Sequence, residues 1–130
     1  LGDKFKDTTI GEALLSPTRI YAKEVKTLLE NVKVAGISHI TGGGFIENLP
    51  RAIKKGLGMK IYRDSYKIPE IFTFIEKAGK IDHDEMYEVF NMGVGLAVII
   101  DKDDKEKVLD LIRDAFVLGE VTDSGKVDLV

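Results

Sequence analysis

Three consecutive glycines at positions 42–44 constrain the fold most, because they separate a strand-like run from a helix-like run. Glycine loses more conformational freedom on folding than any other residue. Three together therefore weaken a fold unless the backbone must turn sharply or lie close to a bound group. The segment "VAGISHI" (34–40) precedes them and predicts a strand, and a helix is predicted around 46–55. Two interpretations follow: a plain strand-to-helix turn, or a loop whose backbone N–H groups bind an anion.

Strand-like and helix-like segments alternate along the rest of the chain. Apolar spacing and capping residues predict further helices at 22–30, 71–78, 82–90 and 108–116. Strands are predicted at 58–63 and 94–100, and a terminal hairpin around residues 123–125. The apolar run "VGLAVII" (94–100) predicts a strand buried on both faces.

This alternation predicts an α+β fold, an α/β sandwich in which helices cover a mixed sheet of four to five strands. The pattern does not give the strand order. The most apolar positions of the last strand and last helix are expected to form the core: Val98, Ile99, Ile100, Leu111 and Ile112.

Composition excludes several classes of protein. A chain of 130 residues fits one domain, and its formal charge of −3 gives no general attraction to nucleic acid or anionic membranes. The absence of cysteine excludes disulfides, thiolate metal sites and a thiol nucleophile. The first residues lack the apolar segment of a signal peptide, and "LAVII" is too short to span a membrane. We therefore expect a cytoplasmic protein with no nucleic-acid or membrane partner and no metal site of its own.

The sequence contains neither of two standard nucleotide-binding motifs. No segment has the G-x-x-x-x-G-K-[ST] pattern of a P-loop. The run from Gly93 to Gly95 begins like a dinucleotide fingerprint, but the third glycine is missing and a strand follows. The remaining candidate for phosphate binding is "HITGGG" (39–44), between a strand and a helix.

Polar residues near this loop are further candidates. His39 lies at the carboxyl end of a predicted strand, where α/β sheets bind ligands, and Thr41 adds a hydroxyl. Asn48 and Arg51 lie one turn apart, and Arg51 could bind phosphate oxygens; the alternatives are an exposed arginine and a helix-stabilising asparagine. Because Pro50 is tolerated only in a first turn, we expect the helix to start near Leu49, which makes Asn48 an N-cap candidate as well.

Four stretches together carry a family resemblance: "LLSPTRIYAK", "SHITGGGFIENLPRAI", "PEIFTFIEKAGKIDHDEMYEVFNMGVGLAVII" and "LGEV". In this order, from about residue 11 to residue 121, they resemble the carboxy-terminal domain of the phosphoribosylformylglycinamidine cyclo-ligases, also called aminoimidazole ribonucleotide synthetases. The resemblance implies a ligase of purine biosynthesis. In that family ATP phosphorylates the formyl amide oxygen of formylglycinamidine ribonucleotide, and a nitrogen then displaces phosphate to close the imidazole ring.

The resemblance also implies roles for the candidate residues. His39 and Asn91 are expected to be catalytic, with His39 as the proton carrier or as a residue that orients substrate. The expected ligands of the phosphorylated ribonucleotide are Thr41, Gly42, Gly43, Gly44, Asn48, Arg51 and Gly93. Without the resemblance, a turn-capping amide would explain Asn91 equally well.

The same resemblance implies that ATP and Mg²⁺ are bound mainly by an amino-terminal domain, which also makes a homodimer in the complete enzyme. Residues 1–13 are interpreted as a polar lead-in from that domain, and residues 14–130 as the cyclo-ligase carboxy-terminal domain. The alternative function is a non-catalytic phosphate- or nucleotide-binding module of the same superfamily.

Overall fold

The amino-terminal residues form a small folded unit. In the computed structural model, which describes residues 1–130, β1 (Lys4–Phe5) pairs with β2 (Thr8–Thr9) and leads into the helix α1 (Ile10–Leu14). Thr9 caps α1: its side chain accepts from the Glu12 backbone N–H, while the Glu12 carboxylate accepts from the Thr9 N–H. The boundary expected between residues 13 and 14 therefore falls inside α1.

The middle of the chain contains the glycine-rich connection. Helix α2 (Ala22–Asn31) is followed by β3 (Val34–His39), α3 (Gly44–Asn48), a 3₁₀ turn (Leu49–Ala52) and β4 (Gly58–Ile61). The expectation that the helix starts near Leu49 was wrong, because α3 begins at Gly44. Pro50 is accommodated instead at the start of the 3₁₀ turn, where its missing N–H costs nothing.

The second half alternates helices and strands. Its elements are α4 (Glu70–Gly79), α5 (His83–Val89), β5 (Leu96–Ile100), α6 (Lys105–Leu111), β6 (Gly119–Thr122) and β7 (Val127–Leu129). Asp82 caps α5 by accepting a hydrogen bond of 2.9 Å from the Asp84 N–H. Helix α6 is shorter than expected, since Ile112 already has an extended backbone. None of the helices combines the length and apolar character that crossing a membrane requires.

The α+β class is confirmed, but the five main strands form two sheets instead of one. Strands β3 and β5 pair antiparallel, from Val34 opposite Ile100 to His39 opposite Leu96. The second sheet has the order β6-β4-β7, in which β4 is antiparallel to β6 and parallel to β7. The predicted terminal hairpin was therefore wrong, because β4 lies between its two strands.

The hydrophobic core lies behind the glycine connection. Its nine residues are Ile40, Phe45, Leu49, Met59, Ile61, Met86, Tyr87, Met92 and Val94. The core residues expected from the last strand and helix are not among them: β5 is only half-buried along its length, and Leu111 is 37% exposed. Strand β5 belongs to a two-stranded sheet and is not the central strand that its apolar run suggested.

Candidate active site

A cleft of about 670 Å³ brings five of the predicted site residues together. These are His39, Thr41, Gly42, Asn91 and Gly93. The opposite wall is apolar and comes from α4 and α5 and the residue after α5: Ile71, Phe72, Ile75, Val89 and Phe90. The cleft thus combines a few polar groups with a larger apolar surface, as small-molecule sites usually do.

The three glycines of the loop meet different surroundings. A Cβ at Gly42 would have no heavy atom within 4 Å, so the backbone there is open to approach. Gly43 has a φ of +90° and lies against the Glu47 side chain. Gly44 has a φ of +53°, and a Cβ there would stand 1.9 Å from the Tyr87 carbonyl oxygen. Positive φ therefore favours glycine at positions 43 and 44, and contact with α5 also requires it at Gly44, while Gly42 leaves open space.

Two of the three glycines leave their backbone N–H groups without a partner in the chain. The Gly44 N–H donates to the Thr41 carbonyl at 3.1 Å, which closes the turn. Neither Gly42 nor Gly43 donates a backbone hydrogen bond within the chain. The expectation that Gly44 offers its amide to a phosphate was therefore wrong, and the glycine N–H groups available to a ligand are those of Gly42 and Gly43.

Asn48 lies under the loop and not in the cleft. Asn48 is buried, with only 3% of its surface exposed. Its Nδ2 donates to the carbonyls of Thr41, Gly42 and Gly44 at 3.4, 3.2 and 2.8 Å. It makes no N-cap hydrogen bond, so that expectation was wrong. The buried Ser38 hydroxyl donates to the Asn48 carbonyl at 2.8 Å. The sequence analysis missed Ser38, because a serine within a strand pattern carries no signal of its own.

Arg51 is another predicted ligand that does not line the cleft. Its exposed guanidinium donates to Asn48 Oδ1 at 3.2 Å and to the Glu47 carboxylate at 3.4 Å. It is absent from the residues that line the cleft. Within this chain, Arg51 supports α3 and the 3₁₀ turn and does not face the cleft.

Asn91 opens a tight turn at the other side of the cleft. Its Oδ1 accepts from the Gly93 N–H at 2.9 Å, and its carbonyl accepts from the Val94 N–H at 2.9 Å. Met92 and Gly93 both have positive φ, 51° and 94°. The turn uses Oδ1, and the Nδ2 group remains available to a ligand. Both sequence interpretations of Asn91, turn cap and ligand, are thus compatible with its geometry.

His39 lies at the end of β3 with an exposed ring. The Tyr21 and His39 rings make an edge-to-face contact, with 6.3 Å between their centroids. Tyr21 in turn fits over Gly95, where a Cβ would stand 2.0 Å from the tyrosine hydroxyl, and Arg19 lies 5.4 Å from the Tyr21 ring. The sequence analysis missed Tyr21 and Arg19 as cleft residues. Gly95 within the predicted strand 94–100 was the available signal, since a glycine inside a strand often marks a close approach.

No group of three or more histidine, aspartate or glutamate side chains is placed to hold a metal ion.

The fold is shared with a solved structure of a different protein. The crystal structure of E. coli HypE aligns with a TM-score of 0.63 at 19% identity, covering 92% of this chain and 40% of that chain. At this identity the similarity shows a common fold alone. The chain thus has an α+β architecture that also forms part of a longer protein.

The sequence comparisons identify the family. The family described as AIR synthase related protein, C-terminal domain, matches residues 2–130, and the chain belongs to it. The phosphoribosylformylglycinamidine cyclo-ligase of Caldanaerobacter subterraneus is 49% identical over 119 residues, and that of Oceanobacillus iheyensis 48%. Each alignment covers 88% of this chain and 35% of the relative, so the chain spans about a third of the length of these relatives.

Proposed function

We propose that this chain is the substrate-facing, carboxy-terminal domain of an ATP-dependent phosphoribosylformylglycinamidine cyclo-ligase, working in the cytoplasm in purine biosynthesis. The observation that carries the proposal is the cleft, where His39 and the glycine loop share one cavity with the Asn91 turn. Family membership and the 49% identity to a cyclo-ligase support it. The substrate is formylglycinamidine ribonucleotide and the product aminoimidazole ribonucleotide.

The glycine loop receives a phosphate of the substrate. The Gly42 and Gly43 N–H groups have no partner in the chain, and the open space at Gly42 lets a ligand approach the backbone closely. Thr41 adds a hydroxyl at the rim of the cleft. Because phosphate is the leaving group in this reaction, the site chiefly has to position the substrate and stabilise negative charge.

His39 and Asn91 act on the reacting part of the substrate. An imidazole can accept and donate protons near neutral pH. His39 is the histidine that lines the cleft, and its ring is exposed. The Asn91 Nδ2 group orients the substrate from the opposite loop. The apolar wall, including Phe72 and Phe90, packs against the ring that forms and excludes water from it.

The remaining parts of the site come from an amino-terminal ATP-binding domain, in the same chain or a separate one. That domain supplies most of the contacts to ATP and the ligands of Mg²⁺, and it makes the homodimer of the complete enzyme. ATP serves as the phosphoryl donor when bound. The share of the relatives that this chain spans, 35%, supports this division of the site.

The test is a fusion of the amino-terminal part of the Caldanaerobacter relative to this chain. We expect ATP-dependent phosphate release and aminoimidazole ribonucleotide from the fusion, and neither product from the 130 residues alone. The relative's own complete enzyme is the positive control. If the fusion folds and binds the ribonucleotide but releases no phosphate, the chain is a non-catalytic binding module instead.

A further inference from the structure

The side chain of Asn48 lies at the centre of the hydrogen bonds that shape the glycine loop. Its two N–H groups serve three loop carbonyls, with the shortest bond, 2.8 Å, to Gly44. Its Oδ1 faces the Arg51 guanidinium at 3.2 Å. The opposite orientation of the amide would put oxygen against three carbonyl oxygens, so these contacts define which atom is the donor.

These hydrogen bonds determine where the loop's N–H groups point. In a planar trans peptide the C=O and the N–H of the next residue point in opposite directions, and the chain has no cis peptide. Since the Thr41 and Gly42 carbonyls point toward Asn48, the N–H groups of Gly42 and Gly43 point away from it. Asn48 is buried and Gly42 lines the cleft, so this direction is outward from the core.

Ser38 fixes the position of Asn48, the residue whose side chain binds the loop carbonyls. Its hydroxyl, in a residue only 6% exposed, donates to the Asn48 carbonyl at 2.8 Å. This hydrogen bond ties the end of α3 to β3, the strand that ends in His39. The loop and the histidine are therefore held in one frame.

We infer that Asn48, held by Ser38, is a positioning residue that directs the Gly42 and Gly43 N–H groups toward the substrate phosphate. The identity of the ligand rests on the proposed function, whereas the direction of the N–H groups rests on the contacts described above. Asn48 itself touches no substrate, in contrast to the ligand role expected for it from the sequence.

The decisive variant is Asn48→Asp, which keeps the size and shape of the side chain and removes both N–H donors. A carboxylate facing three carbonyl oxygens repels them, so we expect the ¹⁵N relaxation of Gly42 and Gly43 to show a mobile loop at neutral pH. When the pH is lowered, the carboxyl group protonates and its O–H can donate one hydrogen bond. Part of the order at these two glycines should then return.

The matched control is Asn31→Asp. Asn31 also donates its side-chain N–H to a carbonyl, that of Thr27 at 2.8 Å, but on the exposed end of α2. This variant should leave the Gly42 and Gly43 signals unchanged at every pH. Ser38→Ala is a milder second variant, which removes one hydrogen bond and leaves the Asn48 amide in place. It should loosen the same two glycines less, and it keeps the test decisive if Asn48→Asp does not fold.

Kinetics of the fusion separate this inference from the proposed function. We expect Ser38→Ala and Asn48→Asp to raise the KM for the ribonucleotide, by about tenfold or more for the second, with a smaller effect on kcat. If the loop stays ordered in both variants, the positioning role is wrong. If the loop becomes mobile while KM is unchanged, the geometry of the inference is supported and the phosphate role of the loop in the proposed function is wrong.

Discussion

At the scale of single residues, neighbouring glycines of the loop have opposite tolerances. Gly42→Ala adds a methyl group to open space and should change the free energy of unfolding by no more than about 0.5 kcal/mol. Gly44→Ala adds it 1.9 Å from the Tyr87 carbonyl oxygen at positive φ, and should cost at least about 2 kcal/mol. Urea unfolding of the two variants measures both values. Equal stability of the two would contradict the described packing of the loop on α5.

His39 gives a second prediction at this scale. His39→Gln removes the proposed proton carrier from the cleft, and since the ring is exposed the fold should lose little stability. We expect the kcat of the fusion to fall by about 100-fold. His83→Gln is the control, since His83 is also exposed but pairs with Glu76 outside the cleft. Similar small losses in both variants would mean that His39 does not transfer a proton.

The glycine loop could be located from the sequence, but the structural role of each residue in and beside it could not. The pattern of "HITGGG" followed by a helix correctly marked a point of close backbone approach. The contact of Gly44 with α5 and the burial of Asn48 depend on segments that are distant in the sequence, so no local pattern could reveal them. Arg51, by contrast, pairs with Glu47 only four residues earlier, a local pairing that agrees with the alternative of an exposed arginine.

At the scale of elements, Asn91 opens a turn, and two variants can separate this structural role from its proposed role in binding substrate. Asn91→Asp keeps the oxygen that accepts from the Gly93 N–H and loses the Nδ2 donors. It should therefore keep nearly the stability of the unmodified chain while the fusion's KM for the ribonucleotide rises. Asn91→Ala should lose both, with a stability cost of about 1 kcal/mol. Thermal unfolding and steady-state kinetics measure the pair. If Asn91→Asp leaves the KM for the ribonucleotide unchanged, Asn91 caps the turn and does not bind substrate.

Most elements could be predicted, while their pairing could not. Helical periodicity and caps correctly indicated α2, α4 and α5, and the strand segments all formed. The hairpin prediction failed because Asp123-Ser124-Gly125 has turn chemistry, yet its flanking strands both pair with β4. Sequence patterns report local preferences, whereas strand partners depend on tertiary contacts.

At the scale of the whole molecule, two buried tyrosines should make the free energy of unfolding fall at alkaline pH. The Tyr66 and Tyr87 hydroxyls are buried without hydrogen-bond partners. Burial raises the pKa of Tyr66 strongly above its ordinary value of 10.0, and burial also raises the pKa of Tyr87. Since the folded pKa exceeds the unfolded one, this contribution to stability is complete below about pH 10 and is lost as the pH rises beyond it.

Tyr66→Phe tests this pH dependence. The variant removes a hydroxyl that has no partner, so its stability near pH 8 should be close to that of the unmodified chain. Above about pH 10 its free energy of unfolding should fall less steeply. Denaturant unfolding between pH 8 and 11 measures the slope. An equal slope in both proteins would mean that Tyr66 does not titrate differently in the folded chain.

The core shows why the molecule as a whole was harder to predict than its elements. The apolar run of β5 suggested a central buried strand, but the most buried side chains come from the loops and short helices around the cleft. Phe45, Met92 and Tyr87 pack directly behind the two turns that carry the candidate ligands. The fold and the site therefore share one set of contacts.

The most direct test of the central claim, that the two turns form one substrate site, is an NMR titration of the ¹⁵N-labelled chain within the fusion. Formylglycinamidine ribonucleotide is added without ATP, and the backbone signals are followed. We expect saturable shifts of Gly42, Gly43 and Gly93, while the glycines at 56 and 125, which do not line the cleft, stay in place. Saturable shifts that leave the signals of both turns unmoved would mean that the two turns do not form one substrate site.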